Sequence, residues 1–165
     1  MNIFKTEGKI SSVDFHPWIA FEVACKIEQY GEKFYSQLLE KITDIEIKKI
    51  IEELKNAEIK HYKMFKNMQK DIPKPENIEQ DNIYQMMNFG VFEGKYDWTK
   101  FREIKDIIKF AIYIETKTIE LYSFYQGMTK NETTKISLEK ITNEEKTHKS
   151  FLENILKTKF SEEKR

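Results

Sequence analysis

One cysteine, three prolines and five glycines in 165 residues leave little from which to build turns, disulfides or thiolate sites. Cys25 alone supports no disulfide framework, no cysteine-ligated zinc and no rubredoxin-type iron site. Few turn formers, with 34% charged and 39% apolar residues, describe long helices with charged outer faces and exclude an all-β or loop-rich fold. No apolar run approaches the roughly 18 residues of a membrane span, and Met1 to Gly8 lacks the apolar stretch of a secretory signal. An excess of one charge is missing too: 28 basic residues meet 28 acidic ones. No global field favours nucleic acid, and no acidic excess marks a disordered chain. The expectation is one cytoplasmic domain over residues 1–165, with neither nucleic acid nor membrane as a partner.

Four segments carry helical periodicity. Pro17, suited to a first turn where its missing N–H costs nothing, opens one that runs to about Ile42. Asp44 caps a second to about Lys70, a third spans about Thr99 to Met128, and Asn131 caps a fourth to about Lys159. Residues 1–16 read as an extension. Between the second and third helices, residues 71–98 have a weaker pattern: Pro73 and Pro75 stop the helix, and a short helix fits around Ile78 to Phe89. Short connections make antiparallel hairpins of helices one and two and of three and four, while the long one can cross a bundle end to end. The fold expected is all-α, a four-helix bundle of two hairpins joined by a long crossover.

The two hairpins look like copies. A shift of 87 residues places Ala24 on Ala111, Ile27 on Ile114, Glu28 on Glu115 and Tyr35 on Tyr122. The same shift places Asn56 on Asn143, Glu58 on Glu145 and His61 on His148. Such self-similarity means a duplicated helical hairpin, and most of what it repeats is polar residues in core positions.

Steps of three and four residues trace the inward stripe of each helix. They read Phe21, Ala24, Glu28, Gly31, Tyr35, Leu38, Ile42 on the first and Ile47, Ile51, Leu54, Glu58, His61, Phe65, Met68 on the second. The third reads Ile108, Ala111, Glu115, Thr118, Tyr122, Tyr125, Thr129, and the fourth Thr134, Leu138, Ile141, Glu145, His148, Leu152, Ile155. Each stripe is mostly apolar around a polar centre, a carboxylate on all four helices and an imidazole on two. Four ionised carboxylates in a dry core would each cost several kcal/mol and repel one another. Two divalent cations would neutralise them, with neutral imidazoles completing the shells. Glu-x-x-His sets its two side chains about 60° apart around a helix and ~4.5 Å along it, so both can face one ion. Oxygen and imidazole donors suit iron or manganese, with zinc a weaker fit. Glutamate fills 22 of 165 positions, so finding four at two matched offsets from two histidines is a coincidence on the order of a few in ten thousand.

The motifs Ile27-Glu28-x-x-Gly31-x-x-Phe34-Tyr35, Glu58-x-x-His61, Ile114-Glu115-x6-Tyr122 and Glu145-x-x-His148 resemble the rubrerythrin branch of the ferritin-like di-iron proteins, over roughly residues 17–158. The resemblance implies a ferritin-like bundle with a carboxylate-bridged pair of irons. Glu28 and His61 would be terminal on one metal, Glu115 and His148 on the other, and Glu58 and Glu145 would bridge. It also implies that Tyr35 and Tyr122 hydrogen-bond site carboxylates. Two departures stand out. Rubrerythrins proper end in a four-cysteine rubredoxin domain, so a chain with one cysteine is expected to need an external electron-transfer protein. They also carry a further glutamate three residues after the third helix's first ligand, exchanged with a histidine during peroxide turnover. That slot is Thr118 here, and its mate in the first hairpin is Gly31. Both are small, which is expected to leave room beside the metals for dioxygen, peroxide or water.

Other residues read as structural. Cys25, matching Ile112 across the repeat, reads as buried and apolar, and His16 as a loop histidine outside any stripe. Glu144 reads as solvated surface rather than a group supporting the site. Phe89, Phe92, Tyr96 and Trp98 read as cover for a bundle or dimer surface, and a homodimer is expected. The leading functional expectation is an oxidoreductase with two irons per chain that reduces hydrogen peroxide or dioxygen. An iron-binding or storage module without redox turnover, and a structural zinc or manganese pair, stay open.

Overall fold

The computed structural model describes residues 16–76 and 97–161; the short helix expected around Ile78 to Phe89, and Phe89, Phe92 and Tyr96, fall outside them. Four long helices form the described structure: α1 (Pro17–Leu39), α2 (Ile45–Gln69), α3 (Ile104–Met128) and α4 (Glu132–Lys159). A three-residue 3-10 turn, Trp98–Lys100, precedes α3. The helices pack most extensively within the hairpins α1–α2 and α3–α4, and the hairpins meet along α2–α4 and α1–α3. This is the four-helix bundle that the periodicity implied. Among the described residues no helix is long and apolar enough to cross a membrane.

Capping chemistry explains the helix starts. Asp44 Oδ1 accepts from the N–H groups of Glu46 (2.9 Å) and Ile47 (3.1 Å), and its extended backbone forces α1 to have ended first, three residues short of Ile42. Asn131 caps α4 through Thr134 N at 2.9 Å. His16 is more than a loop residue: it is the N-cap of α1, its Nδ1 accepting from Trp18 N at 3.2 Å. Helix α3 starts later than the pattern suggested. Asp97 caps the 3-10 turn instead, and the extended backbone at Phe101 and Glu103 delays the helix to Ile104.

The inward stripes pack as their spacing requires. Phe21, Leu38, Ile51, Leu54, Phe65, Ile108, Leu138 and Ile141 are essentially inaccessible and fill the layers on either side of the polar centre. Phe34 stacks on Trp98 with ring centres 5.5 Å apart, so Trp98 lies against the bundle itself. The α2 stripe ends on Gln69 rather than Met68. Gln69 Nε2 donates to Trp18 O and to Glu22 Oε2, both at 3.0 Å, which ties the end of α2 to the start of α1.

These apolar layers fix the position of the polar centre. Leu54, one turn before Glu58, is 1% exposed. Leu54→Ala is expected to lower the unfolding free energy by about 2–5 kcal/mol, measured by chemical denaturation of the metal-free protein; a loss below ~1 kcal/mol would mean the layer is loosely packed.

Candidate metal centre

Six side chains from the four stripes meet at mid-bundle: Glu28 from α1, Glu58 and His61 from α2, Glu115 from α3, Glu145 and His148 from α4, all more than nine-tenths buried. Their donor atoms form two groups, each within 4.8 Å: Glu28, His61 and Glu145 in one, Glu58, Glu115, Glu145 and His148 in the other. Glu145 belongs to both. Its Oε1 lies 2.9 Å from His61 Nδ1 and its Oε2 2.8 Å from His148 Nδ1. Glu28 Oε2 is 3.4 Å from His61 Nδ1, and Glu58 Oε1 is 3.9 Å from His148 Nδ1. The two imidazoles lie 5.7 Å apart and nearly parallel. Of the two carboxylates that the resemblance casts as bridges, Glu145 spans both groups and Glu58 joins only one.

Three of these atoms, Glu28 Oε2, His61 Nδ1 and Glu145 Oε1, are fully buried without a hydrogen bond of sound geometry. Buried polar atoms are almost always paired. Two carboxylate oxygens and an imidazole nitrogen that crowd together without meeting one another's hydrogen-bond directions have the disposition that a shared cation would complete. The donor set, oxygen and imidazole nitrogen with no thiolate, fits iron or manganese.

Two tyrosines support the acids, and they do so across the bundle. Tyr35 of α1 donates to Glu115 Oε1 of α3, and Tyr122 of α3 donates to Glu28 Oε1 of α1. Each tyrosine therefore serves the glutamate of the other hairpin rather than that of its own helix. Burial and the surrounding carboxylates push both phenols well above their ordinary range, so they stay protonated donors. Phe65 packs on the Tyr122 ring at 5.0 Å and Phe34 meets Tyr35 edge-on at 5.4 Å, which fixes both hydroxyls.

Without a cation, burial and mutual repulsion oppose charge on most of this layer. Burial, then repulsion from Glu145, raises Glu28, Glu58 and Glu115 above the usual carboxylate range. Burial also acts on Glu145, but His148 and His61 outweigh it and hold that carboxyl down at about 2. Burial works against charge on His61 as well, yet Glu145 and Glu28 beside it raise the imidazole to about 11. The two imidazoles thus favour the charged form of Glu145, while burial and repulsion oppose charge on the three acids around it.

The two small residues differ in their surroundings. A Cβ on Gly31 would stand 2.5 Å from Glu58 Oε2, so the space beside Gly31 is taken by the Glu58 carboxylate rather than left for a small molecule. Thr118 is buried, and its hydroxyl donates to Ile114 O of its own helix at 3.1 Å. Cys25 is buried, and burial pushes its thiol up to about 12, as suits an unreactive core residue. Glu144 corrects the reading as surface. It is only 28% exposed, and its Oε2 lies 2.9 Å from His61 Nε2. The signal lay in neighbours off the stripes: Lys60 beside His61 and Glu144 beside Glu145 are complementary charges at one level of facing helices.

The comparisons with known proteins agree with this geometry. No curated protein matches the sequence. A hypothetical protein from Pyrococcus furiosus has a similar solved structure, with a TM-score of 0.61 and 23% identity over 90% of this chain and 92% of that one. At that identity the likeness concerns the fold. The rubrerythrin family model matches residues 20–156, which takes in all four helices and all six clustered side chains. The chain belongs to the rubrerythrin family, with its ferritin-like four-helix bundle.

Proposed function

We propose that the six-residue cluster holds two iron ions and that the protein is an oxidoreductase which reduces hydrogen peroxide or dioxygen with electrons from a separate donor protein. The observation that carries the reading is the sharing of Glu145 between two groups of buried donors, three of whose atoms lack hydrogen-bond partners. A bound iron pair supplies two electrons, one per ion, which with two protons match the reduction of peroxide to two waters. Glu28 and His61 would hold one ion, Glu115 and His148 the other, with Glu145 between them and Glu58 beside the second. Tyr35 and Tyr122 keep protons at Glu115 and Glu28 and orient those carboxylates. The apolar layers exclude bulk water from the cluster.

The test loads metal-free protein with Fe(II) under anaerobic conditions and then mixes it separately with dioxygen and with peroxide. About two irons per chain are expected, and oxidation by at least one oxidant should appear as ferric absorbance. Two bound irons inert to both would end the oxidoreductase reading, and a far larger iron load would favour storage. Glu145→Ala should lose both ions, while Glu28→Ala should retain one. Equal losses in these variants, measured by elemental analysis, would contradict the shared role of Glu145.

A pH dependence follows from the protons. Folded metal-free protein keeps protons on Glu28, Glu58, Glu115 and His61 that the unfolded chain releases. The native state therefore binds more protons, and metal-free stability falls as pH rises above the unfolded carboxylate range. Glu145 has the opposite sign, but its effect lies below that range. Metal takes the place of the protons, so the gain in melting temperature from Mn(II) should be larger near pH 7.5 than near pH 5.5. A gain that shrinks over that interval would refute the assignment.

A further inference from the structure

Glu144 stands on α4 one residue before Glu145. Lys60 Nζ donates to both of its oxygens, at 3.2 and 3.1 Å, and His61 Nε2 lies 2.9 Å from Oε2. A carboxylate that accepts from the Lys60 ammonium through both oxygens takes the N–H of His61 Nε2 as a further donor. The other ring nitrogen, Nδ1, is then the one turned to Glu28 and Glu145. When Nδ1 exchanges its proton for a bound metal, the Nε2–H stays on Glu144, so the orientation of the ring is set from outside the cluster.

The duplication breaks at this point. The 87-residue shift carries His61 to His148 but pairs Glu144 with Ala57 and Lys60 with Thr147. A methyl group cannot accept a hydrogen bond. Among the described residues His148 contacts carboxylates through Nδ1 alone, toward Glu145 and Glu58. It is also 7% exposed where His61 is 0%.

We propose that Glu144 is a positioning residue that locks His61 as an Nδ1 ligand, and that His148, for which the matching position is Ala57, has no such lock, so the two metal positions of this chain are held unequally. The inference rests on the two-metal reading. It assigns Glu144 to one metal position only, so its loss must show in one of two binding steps.

The experiment is a calorimetric titration of metal-free protein with Co(II), which reports binding without turnover. Wild type should take up two ions. Glu144→Ala should weaken one step by roughly ten- to a hundredfold and leave the other in place. Glu144→Gln, whose amide oxygen still accepts from Nε2, should recover most of the loss. Lys60→Met, which removes the surface pair but leaves Glu144 facing His61, should change neither step much. In a Glu28→Ala background, where the His61 position is already disabled, Glu144→Ala should have little further effect. A wild type that binds fewer than two ions would overturn the two-metal reading and this proposal with it. Two wild-type ions with both steps unchanged, or equally weakened, in Glu144→Ala would overturn the proposal alone.

A second readout needs no variant. In the zinc-loaded wild type, nitrogen-edited NMR should show one imidazole Nε2–H in slow exchange with water and the other in fast exchange. Equal exchange rates for the two rings would contradict the lock.

Discussion

Glu28, Glu58, Glu115 and Glu145 share one buried layer of the bundle, and everything else about the structure follows from how that layer is compensated. An uncompensated carboxylate in such a place costs several kcal/mol, comparable to a large part of a domain's net stability. The chain meets part of the cost with two tyrosine hydroxyls and two imidazoles, and the remaining repulsion raises three of the acids. Apolar layers above and below contribute the burial that holds the layer together. The same layers hold the charges apart from water, where their mutual repulsion would be screened. A centre of this kind is therefore strained toward cation binding by its own burial.

The crossed tyrosines show why a duplicated hairpin suits the task. Tyr35 and Glu115 stand on different hairpins, as do Tyr122 and Glu28. One hairpin alone would leave a phenol and a carboxylate unpaired in its own core. Two copies in pseudo-symmetric contact satisfy both at once, and the Phe65 and Phe34 contacts hold the rings to that geometry. The polar centre thus specifies how the hairpins dock, while the apolar residues supply the free energy of docking.

Most of this was legible in the sequence because helical periodicity and local capping chemistry are short-range. Pro17, Asp44 and Asn131 mark helix starts through their own backbone and side-chain preferences. The stripes place all six clustered residues on inward faces without reference to any neighbour. What the stripes could not give was anything decided between helices at their flanks. Glu144 gains its role from Lys60 and His61 on α2, more than eighty residues away. Gln69 takes the buried place next to Met68 because Trp18 O and Glu22 offer it partners at the start of α1. The delayed start of α3 depends on Asp97 capping a different turn, a competition that composition does not reveal.

Gly31 and Thr118 bring the asymmetry to the centre itself. They are equivalent positions of the two hairpins, yet only Gly31, having no Cβ, leaves a notch against the backbone of α1. Glu58 turns Oε2 into that notch and leaves Oε1 toward His148. Thr118 fills the matching place with a side chain whose hydroxyl is engaged on Ile114 O. Glu145, the counterpart of Glu58, lies between the two imidazoles instead. The two carboxylates that the duplication makes equal have thus become different: Glu145 lies between the imidazoles, which hold its carboxyl down, and Glu58 lies in the notch, where burial and the other acids raise it. The duplication is thus unequal at its centre, because only Gly31 leaves a carboxylate the room to turn against the helix backbone.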